Sequence, residues 1–404
     1  MTQEKQNKKR TVTTFIWVYI ITYLAFAFGT VQIVPYLTSI GYSPVERGIL
    51  ISSIAIVTII VQLIFGYLSD KYKTVKKLFI VIMIVFAAAS WLFYTVDSRQ
   101  FILHLILVAL CGGFSNLGMG VQDNWVLETD ERTRNLYSVI RAFGSFGWAI
   151  GGITLGYLIN SFGYKSLSVT VLFFTVITLG GCLLLGDASK SNDPTTQSIT
   201  KADVKELLTN KAYILVIVVL FLLSCIQMFN NYTLIDKIMI LGGTSKEVGI
   251  TATIKGLVEL PLFLAGPMIL SKYKAKALLI VSAIAYTIQF VLFGFATTVS
   301  GLLWLIGLQV LTNPCLIIAS KVMIDELTSD ACKSTGQLVA MSIYTGGASL
   351  LIPYLSGVLT EWKDVNFTLF FAASLGIGAL MLIPLIKKPR RVIHRHENND
   401  INIK

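Results

Sequence analysis

Charge is scarce in this sequence: 14% of its 404 residues are Asp, Glu, Lys or Arg, against about 25% in an ordinary soluble domain. Histidine is scarcer, and with His104 near the outer end of a span and His394 and His396 in the basic tail, no metal cluster is suggested. Cys111, Cys182, Cys225, Cys315 and Cys332 lie in or beside apolar runs and read as small core hydrophobes. No Gly-rich Walker loop is present, which excludes transport driven by ATP hydrolysis within this chain. No reactive cluster suited to covalent or acid–base chemistry emerges either, so neither an enzyme nor a cofactor is expected.

What fills the sequence is apolar, with 54% of residues hydrophobic. A helix rising 1.5 Å per residue needs about 20 residues to cross a bilayer. Apolar runs of that length are expected to span at 14–38, 48–69, 77–95, 101–126, 136–160, 166–186, 212–236, 247–271, 276–297, 299–321, 334–359 and 366–386. The first run exceeds a signal-peptide core, so it is expected to stay as a span. A polar stretch at 187–211 separates six spans from six. The expected fold is therefore an all-α membrane protein of twelve transmembrane helices, with two six-helix bundles at 1–186 and 212–404 related by pseudo-two-fold symmetry.

The formal net charge of +11 would suggest nucleic acid in a soluble chain. Here the cations crowd alternate gaps, including Lys5 to Arg10, Lys71 to Lys77, Lys272 to Lys276 and Lys387 to Arg395. The opposite gaps hold only Arg47, Arg99, Lys165, Lys237, Lys246 and Lys363. Such asymmetry sets orientation and puts both termini in the cytoplasm of a cell-membrane protein, with lipid and not nucleic acid as its surroundings. A constant offset also relates Asp130, Glu131, Thr133, Gly151, Gly152 and Leu155 to Asp325, Glu326, Thr328, Gly346, Gly347 and Leu350. Parallel repeats of this kind suit a carrier whose two halves move about a central site.

Polar groups inside the runs carry the functional reading, because an unpaired charge in hydrocarbon is costly. Asp123 and Arg141 fall on consecutive spans and can meet as a bidentate pair, binding a solute or simply neutralising each other. Trp148, two turns beyond Arg141, offers a flat face for a sugar ring or nucleoside, or ordinary packing. Gly144, Gly147, Gly151 and Gly152 suit close helix contact. Lys255 and Glu259, four residues apart, can neutralise each other; with Asp123 they are the proton-coupling candidates. Gln227, Asn230 and Asn231 in one span, and Gln309 and Asn313 before Pro314 in another, supply amides that both donate and accept. These amides suit either solute hydroxyls or bonding between helices.

The segment Gly66-Tyr67-Leu68-Ser69-Asp70-Lys71-Tyr72-Lys73 resembles the signature loop between helices two and three of the major facilitator superfamily. That resemblance implies a gate in which Gly66 permits close helix contact while Asp70 and Lys71 bond across it. Lys73 stands where the family has glycine, and the second-half counterpart, Gly266 through Ser271 to Lys274, lacks the acidic residue. Arg141-Ala142-Phe143-Gly144-Ser145-Phe146-Gly147-Trp148, with Asp123, resembles the sugar-binding segment of the lactose permease and oligosaccharide–proton symporter group. By that resemblance Asp123, Arg141 and Trp148 contact sugar. The group's proton-binding residues of helix ten align with Gln309 and Thr312, its helix-seven aspartates with Gln227 and Asn230, and its helix-eight asparagine and glutamate with Glu259 and Gly256. The known proton route is not carried over, and coupling would move to Asp123 or Glu259.

The function expected is a monomeric, gradient-driven carrier of a small polar, ring-containing solute, a sugar or nucleoside, in symport with protons. A proton-coupled exporter of amphipathic compounds or drugs is the alternative; it calls for a larger aromatic and aliphatic cavity with few fixed hydrogen bonds.

Overall fold

A computed structural model describes residues 2–188, 209–265, 268, 272–328 and 333–386. Most of the expected linker at 187–211, the basic tail from 387, Cys332, Gly266 and Ser271 lie outside the described residues, as does the side chain of Asp70. Every regular element among the described residues is helical. The first half contains α1 (Thr2–Thr30), α2 (Ile33–Ser39), α3 (Pro44–Tyr72), α4 (Lys76–Thr95), α5 (Phe101–Thr129), α6 (Glu131–Asn135), α7 (Tyr137–Phe162) and α8 (Lys165–Leu183). The second contains α9 (Lys211–Ile240), α10 (Ser245–Leu264), α11 (Ala275–Phe295), α12 (Val299–Leu305), α13 (Asn313–Leu327), α14 (Lys333–Met341), α15 (Gly347–Trp362) and α16 (Val365–Leu382).

Eleven helices or helix series among the described residues are long and apolar enough to cross a membrane. The eighth expected span corresponds to α10, whose Lys246, Glu247, Lys255 and Glu259 keep it out of that class. The tenth is broken: a 3-10 segment at Ile306–Leu311 separates α12 from α13, whose Pro314 occupies the first turn. Proline has no N–H to continue the helical ladder, so a break immediately before it follows from its chemistry. In the eleventh, a π-helical turn at Ser342–Gly346 joins α14 to α15.

Two hydrophobic cores form, one drawn from residues 15–188 and the other from 213–386. Each half therefore buries apolar side chains largely against its own helices. The halves meet chiefly along α7 against α10 and α3 against α15. Glycine permits those approaches: a Cβ on Gly152 would strike the Gly249 carbonyl and Thr253, while one on Gly48 would strike the backbone of Pro353 and Tyr354.

These contacts lie at one end of the helices. Tyr36 donates to the Val96 carbonyl at 2.7 Å and its ring lies 5.1 Å from Tyr164, whose hydroxyl meets Ser245 Oγ at 2.7 Å. Gln32 Nε2 reaches the Ser245 carbonyl at 2.9 Å, and Val45 N donates to Glu361 Oε1 at 2.9 Å. The turns at 40–43, 96–100, 163–164, 241–244 and 363–364 thus gather into a seal. At the opposite end, a Cβ on Gly66 would meet nothing within 4 Å. The close helix contact expected of Gly66 is not made in this structure. Lys71 lies instead over the rings of Tyr67 and Tyr72 on its own helix, at 5.8 and 5.4 Å.

Candidate functional site

A cavity of about 550 Å³ lies between the halves, within the size range common for small-molecule sites. Arg141, Ser145 and Trp148 line it from α7, with Tyr23 from α1 and Ser115 and Asn116 from α5. Gln227, Asn230 and Asn231 face them from α9, Lys255 and Glu259 from α10, and Gln309 and Asn313 from the broken span. Eight of the nine solute-contacting candidates read from the sequence therefore border one space. Asp123 is the ninth; it stands behind the cavity wall, beside Arg141.

The second-half wall is one hydrogen-bonded network. Gln227 Nε2 donates to Asn313 Oδ1 at 2.6 Å, and Asn313 Nδ2 donates to Glu259 Oε1 at 3.0 Å. In parallel, Asn230 Nδ2 donates to Gln309 Oε1 at 3.0 Å, and Gln309 Nε2 donates to the same Glu259 oxygen at 2.7 Å. Two amide relays thus terminate on one carboxylate oxygen. An ionised carboxylate only accepts, so it suits the end of a relay in which every preceding group donates. The break before Pro314 lets Gln309 and Asn313 approach Glu259 from either side of Thr312.

Lys255 and Glu259 do not form the direct pair their spacing suggests. Lys255 Nζ donates to the Asn230 carbonyl at 2.8 Å, while the amides occupy Glu259. A backbone oxygen on α9 and two carboxamides from the broken span outcompete a partner one turn away on the same helix. The cavity consequently keeps an ammonium and a carboxylate as separate groups.

The first-half pair also differs from expectation. Arg141 Nε approaches Asp123 Oδ1 at 3.6 Å, too long for a hydrogen bond, and no bidentate fork forms. Tyr19 and Tyr23, one turn apart on α1, explain this. Tyr19 Oη donates to Asp123 Oδ1 at 2.9 Å, and the Arg141 guanidinium lies 4.7 Å from the Tyr23 ring centre. Arg141 is thereby held by a ring face and a nearby charge. Gly147 brings α7 against the Ile20 backbone of α1, which makes this arrangement possible.

The sequence reading missed a buried ion pair joining the halves: Arg47 Nη2 lies 2.5 Å from Asp236 Oδ1, with side chains 8% and 13% exposed. In the sequence Arg47 falls in the gap before the span expected at 48–69, and Asp236 is the last residue of the one expected at 212–236. His104 is buried with Tyr42 Oη 2.9 Å from Nδ1, and among the described residues no His, Cys, Asp and Glu group has the arrangement to hold a metal. Cys111, Cys182, Cys225 and Cys315 are buried free thiols.

Residues 16–372 match the family described as MFS_1 like. The chain is 22% identical to the maltose permease of Geobacillus stearothermophilus over 348 residues, 85% of this chain and 86% of that protein. It is 24% identical to the raffinose permease of Escherichia coli over 388 residues, 88% of this chain and 89% of that one. Its fold superposes on the crystal structure of nucleoside transporter NupG with a TM-score of 0.81 at 15% identity, covering 94% of this chain and 100% of the other. The chain belongs to the MFS_1-like family and is a multi-pass membrane transporter of the major facilitator superfamily, not an enzyme.

Proposed function

We propose that this protein carries a sugar or nucleoside by proton-coupled symport. The observation that carries the reading is the two-sided cavity, with Trp148 and Arg141 on one wall and the amide relay ending at Glu259 on the other. A glycosidic solute has hydroxyls that donate and accept and ring faces that stack. The indole would take a ring face, Arg141 would donate to ring or hydroxyl oxygens, and the amides with Asn231 would read the remaining hydroxyls. The fixed amides and charges in this lining favour a solute rich in hydroxyls over an amphipathic drug, while aliphatic residues such as Ile51, Ile54 and Met119 border the apolar edges of the solute. The curated relatives named for maltose and raffinose support the sugar class, and the fold of NupG keeps nucleosides beside it.

In this reading α10, eighth in order, completes the set of twelve spans, and 1–186 and 212–404 form pseudo-symmetric moving bodies joined by 187–211. Both termini lie in the cytoplasm beneath the cell membrane, and one chain suffices for transport. The seal described above then closes the outer side and the cavity opens inward. Glu259 is the proton-binding group, with Asp123 and Lys255 adjusting the local charge. Protonation removes the charge at the end of both relays, changing the solute's affinity in one state more than the other; only such a difference can drive a conformational shift. The signature loop, with Gly66, Asp70 and Lys71, closes the inner side in the alternate state.

The test is uptake of labelled maltose, raffinose and uridine by purified protein in sealed vesicles under imposed pH gradients. Symport predicts accumulation that follows the gradient and collapses with a protonophore. Arg141→Gln and Trp148→Leu are expected to reduce uptake at least tenfold, the loss produced by about 1.4 kcal/mol. Uptake of all three unchanged in both variants would remove the first-half wall from the site.

A further inference from the structure

The cavity distributes its charged groups unevenly. Among the described residues Arg141, Lys255 and Glu259 are the charged side chains that line it, two cations against one carboxylate. Asp123, the fourth charged group, stands behind Arg141. Both carboxylates are taken by neutral donors, Tyr19 and Tyr137 on Asp123 and Gln309 and Asn313 on Glu259. Both cations rest on neutral groups in turn, Arg141 on the Tyr23 ring and Lys255 on the Asn230 carbonyl.

Lys255 is the less compensated of the two cations. Arg141 has Asp123 Oδ1 at 3.6 Å, whereas among the described residues no carboxylate lies within 4 Å of the Lys255 ammonium. An ammonium has three donors, and the Asn230 carbonyl engages one of them at 2.8 Å. A charge held inside a membrane protein without a counter-ion is costly, so a solute that brings one is favoured over a neutral solute. The position suits a substituent on a stacked ring. A Cβ on Gly256, next in sequence to Lys255, would lie 3.9 Å from Trp148 Cδ1. A ring on the indole therefore runs beside the turn of α10 that carries Lys255.

Charge balance narrows the class of solute. When all are ionised, Asp123, Arg141, Lys255 and Glu259 cancel. A proton on Glu259 leaves one positive charge in excess. A monoanion cancels that excess, a neutral sugar leaves it in place, and a phosphate ester, close to a dianion at neutral pH, overshoots it. We propose that the solute is a sugar acid, a uronic acid or its glycoside, whose carboxylate pairs with Lys255 while its ring lies on Trp148. The charge-assisted bonds so formed make Lys255 the residue that reads the solute's charge. The proposal deepens the sugar reading of the site and rests on it, with Glu259 as the group that takes the proton.

Glycosides differing only at the sixth carbon test it: methyl glucuronide against methyl glucoside, and methyl galacturonide against methyl galactoside, with glucose 6-phosphate as the dianion. Affinities for the purified protein are measured by titration calorimetry at neutral pH and fixed ionic strength. In at least one pair the uronide should bind at least tenfold tighter than its neutral partner, and tighter than glucose 6-phosphate. Lys255→Gln should bring the uronide-to-glycoside ratio close to one, while Lys255→Arg, which keeps the charge, should retain a preference for the uronide. The wild-type comparison decides the matter even if the glutamine variant does not fold. Neutral glycosides bound as tightly as uronides overturn the proposal and leave the sugar reading standing. So does a preference that survives in folded Lys255→Gln, or glucose 6-phosphate bound as tightly as the uronide. Failure of every glycoside to bind, acidic and neutral alike, overturns the sugar reading together with the proposal.

Discussion

The carboxylate at Glu259 offers the sharpest separation between holding the site together and working it. Its Oε1 ends two relays, from Asn313 at 3.0 Å and Gln309 at 2.7 Å. Glu259→Ala removes the acceptor and leaves both amide N–H groups in the cavity wall without their carboxylate partner. A buried donor left unpaired costs about 1–3 kcal/mol, so two cost on the order of 2–6 kcal/mol. Glu259→Gln retains an oxygen in the same place and loses only charge assistance, about 1 kcal/mol per bond, against which removing a partly buried charge is favourable. The alanine variant should therefore lose its monodisperse peak on heating at a temperature several degrees below wild type, measured by fluorescence-detected size exclusion, while the glutamine variant stays close to wild type. Uptake in vesicles should divide differently. Glutamine at this position should retain solute exchange but lose accumulation driven by a proton gradient. If alanine and glutamine variants proved equally stable, the two relays would not end on Glu259 in the working protein. If the glutamine variant still accumulated solute with the gradient, the coupling proton would bind elsewhere.

Three further outcomes follow from contacts around the site. Asp187 accepts from Thr74 Oγ1 at 2.5 Å and from the backbone N–H groups of Val75, Lys76 and Ala188, tying the residues after α8 to the start of α4. Burial alone would raise its carboxyl pKa, but the Thr74 hydroxyl and these backbone donors outweigh that and hold it below the usual carboxylate range. Its stabilisation is present above the unfolded carboxylate pKa and is lost as pH falls through the lower folded value; Asp187→Asn should lower thermal stability at neutral pH, a difference that should vanish in strong acid. Gly249→Val should force α10 from α7 at Gly152, and cross-linking between these helices should slow at least tenfold relative to wild type. Asn313→Leu interrupts the relay from Gln227 while leaving Gln309 on Glu259, so its loss of stability should be about 1–3 kcal/mol by chemical denaturation of the purified protein, smaller than that of Glu259→Ala.

Which polar residues matter was legible in the sequence wherever they interrupt an apolar run. Gln227, Asn230, Glu259, Gln309 and Asn313 stand out because hydrocarbon would not tolerate them without partners, and all five line the cavity. Whom they bond was not legible. Lys255 and Glu259 share a helical face, but their acceptor and donors come from α9 and from the broken span. Asp123 and Arg141 lie near each other as their order suggests, yet the carboxylate accepts from Tyr137 and from Tyr19, the latter 104 residues away. Helical spacing fixes which side chains share a face and says nothing of the competitors another helix brings.

Arg47 and Asp236 escaped notice for a different reason. Arg47 and Asp236 stand where apolar runs begin or finish, and a charge at such a place looks solvated. Arg47 is instead in the first turn of α3, and Asp236 is within α9, which continues to Ile240. Lys237 beside it is 4% exposed and donates to Asn366 Oδ1, so it is not a loop cation either. Residues whose partners change between states should concentrate at such borders, since there the halves can part into water without leaving a charge in hydrocarbon. Charges deep in the spans face the opposite constraint and must keep a partner in every state, which is why Glu259 is surrounded by amides from its own half while Asp236 reaches across to the other.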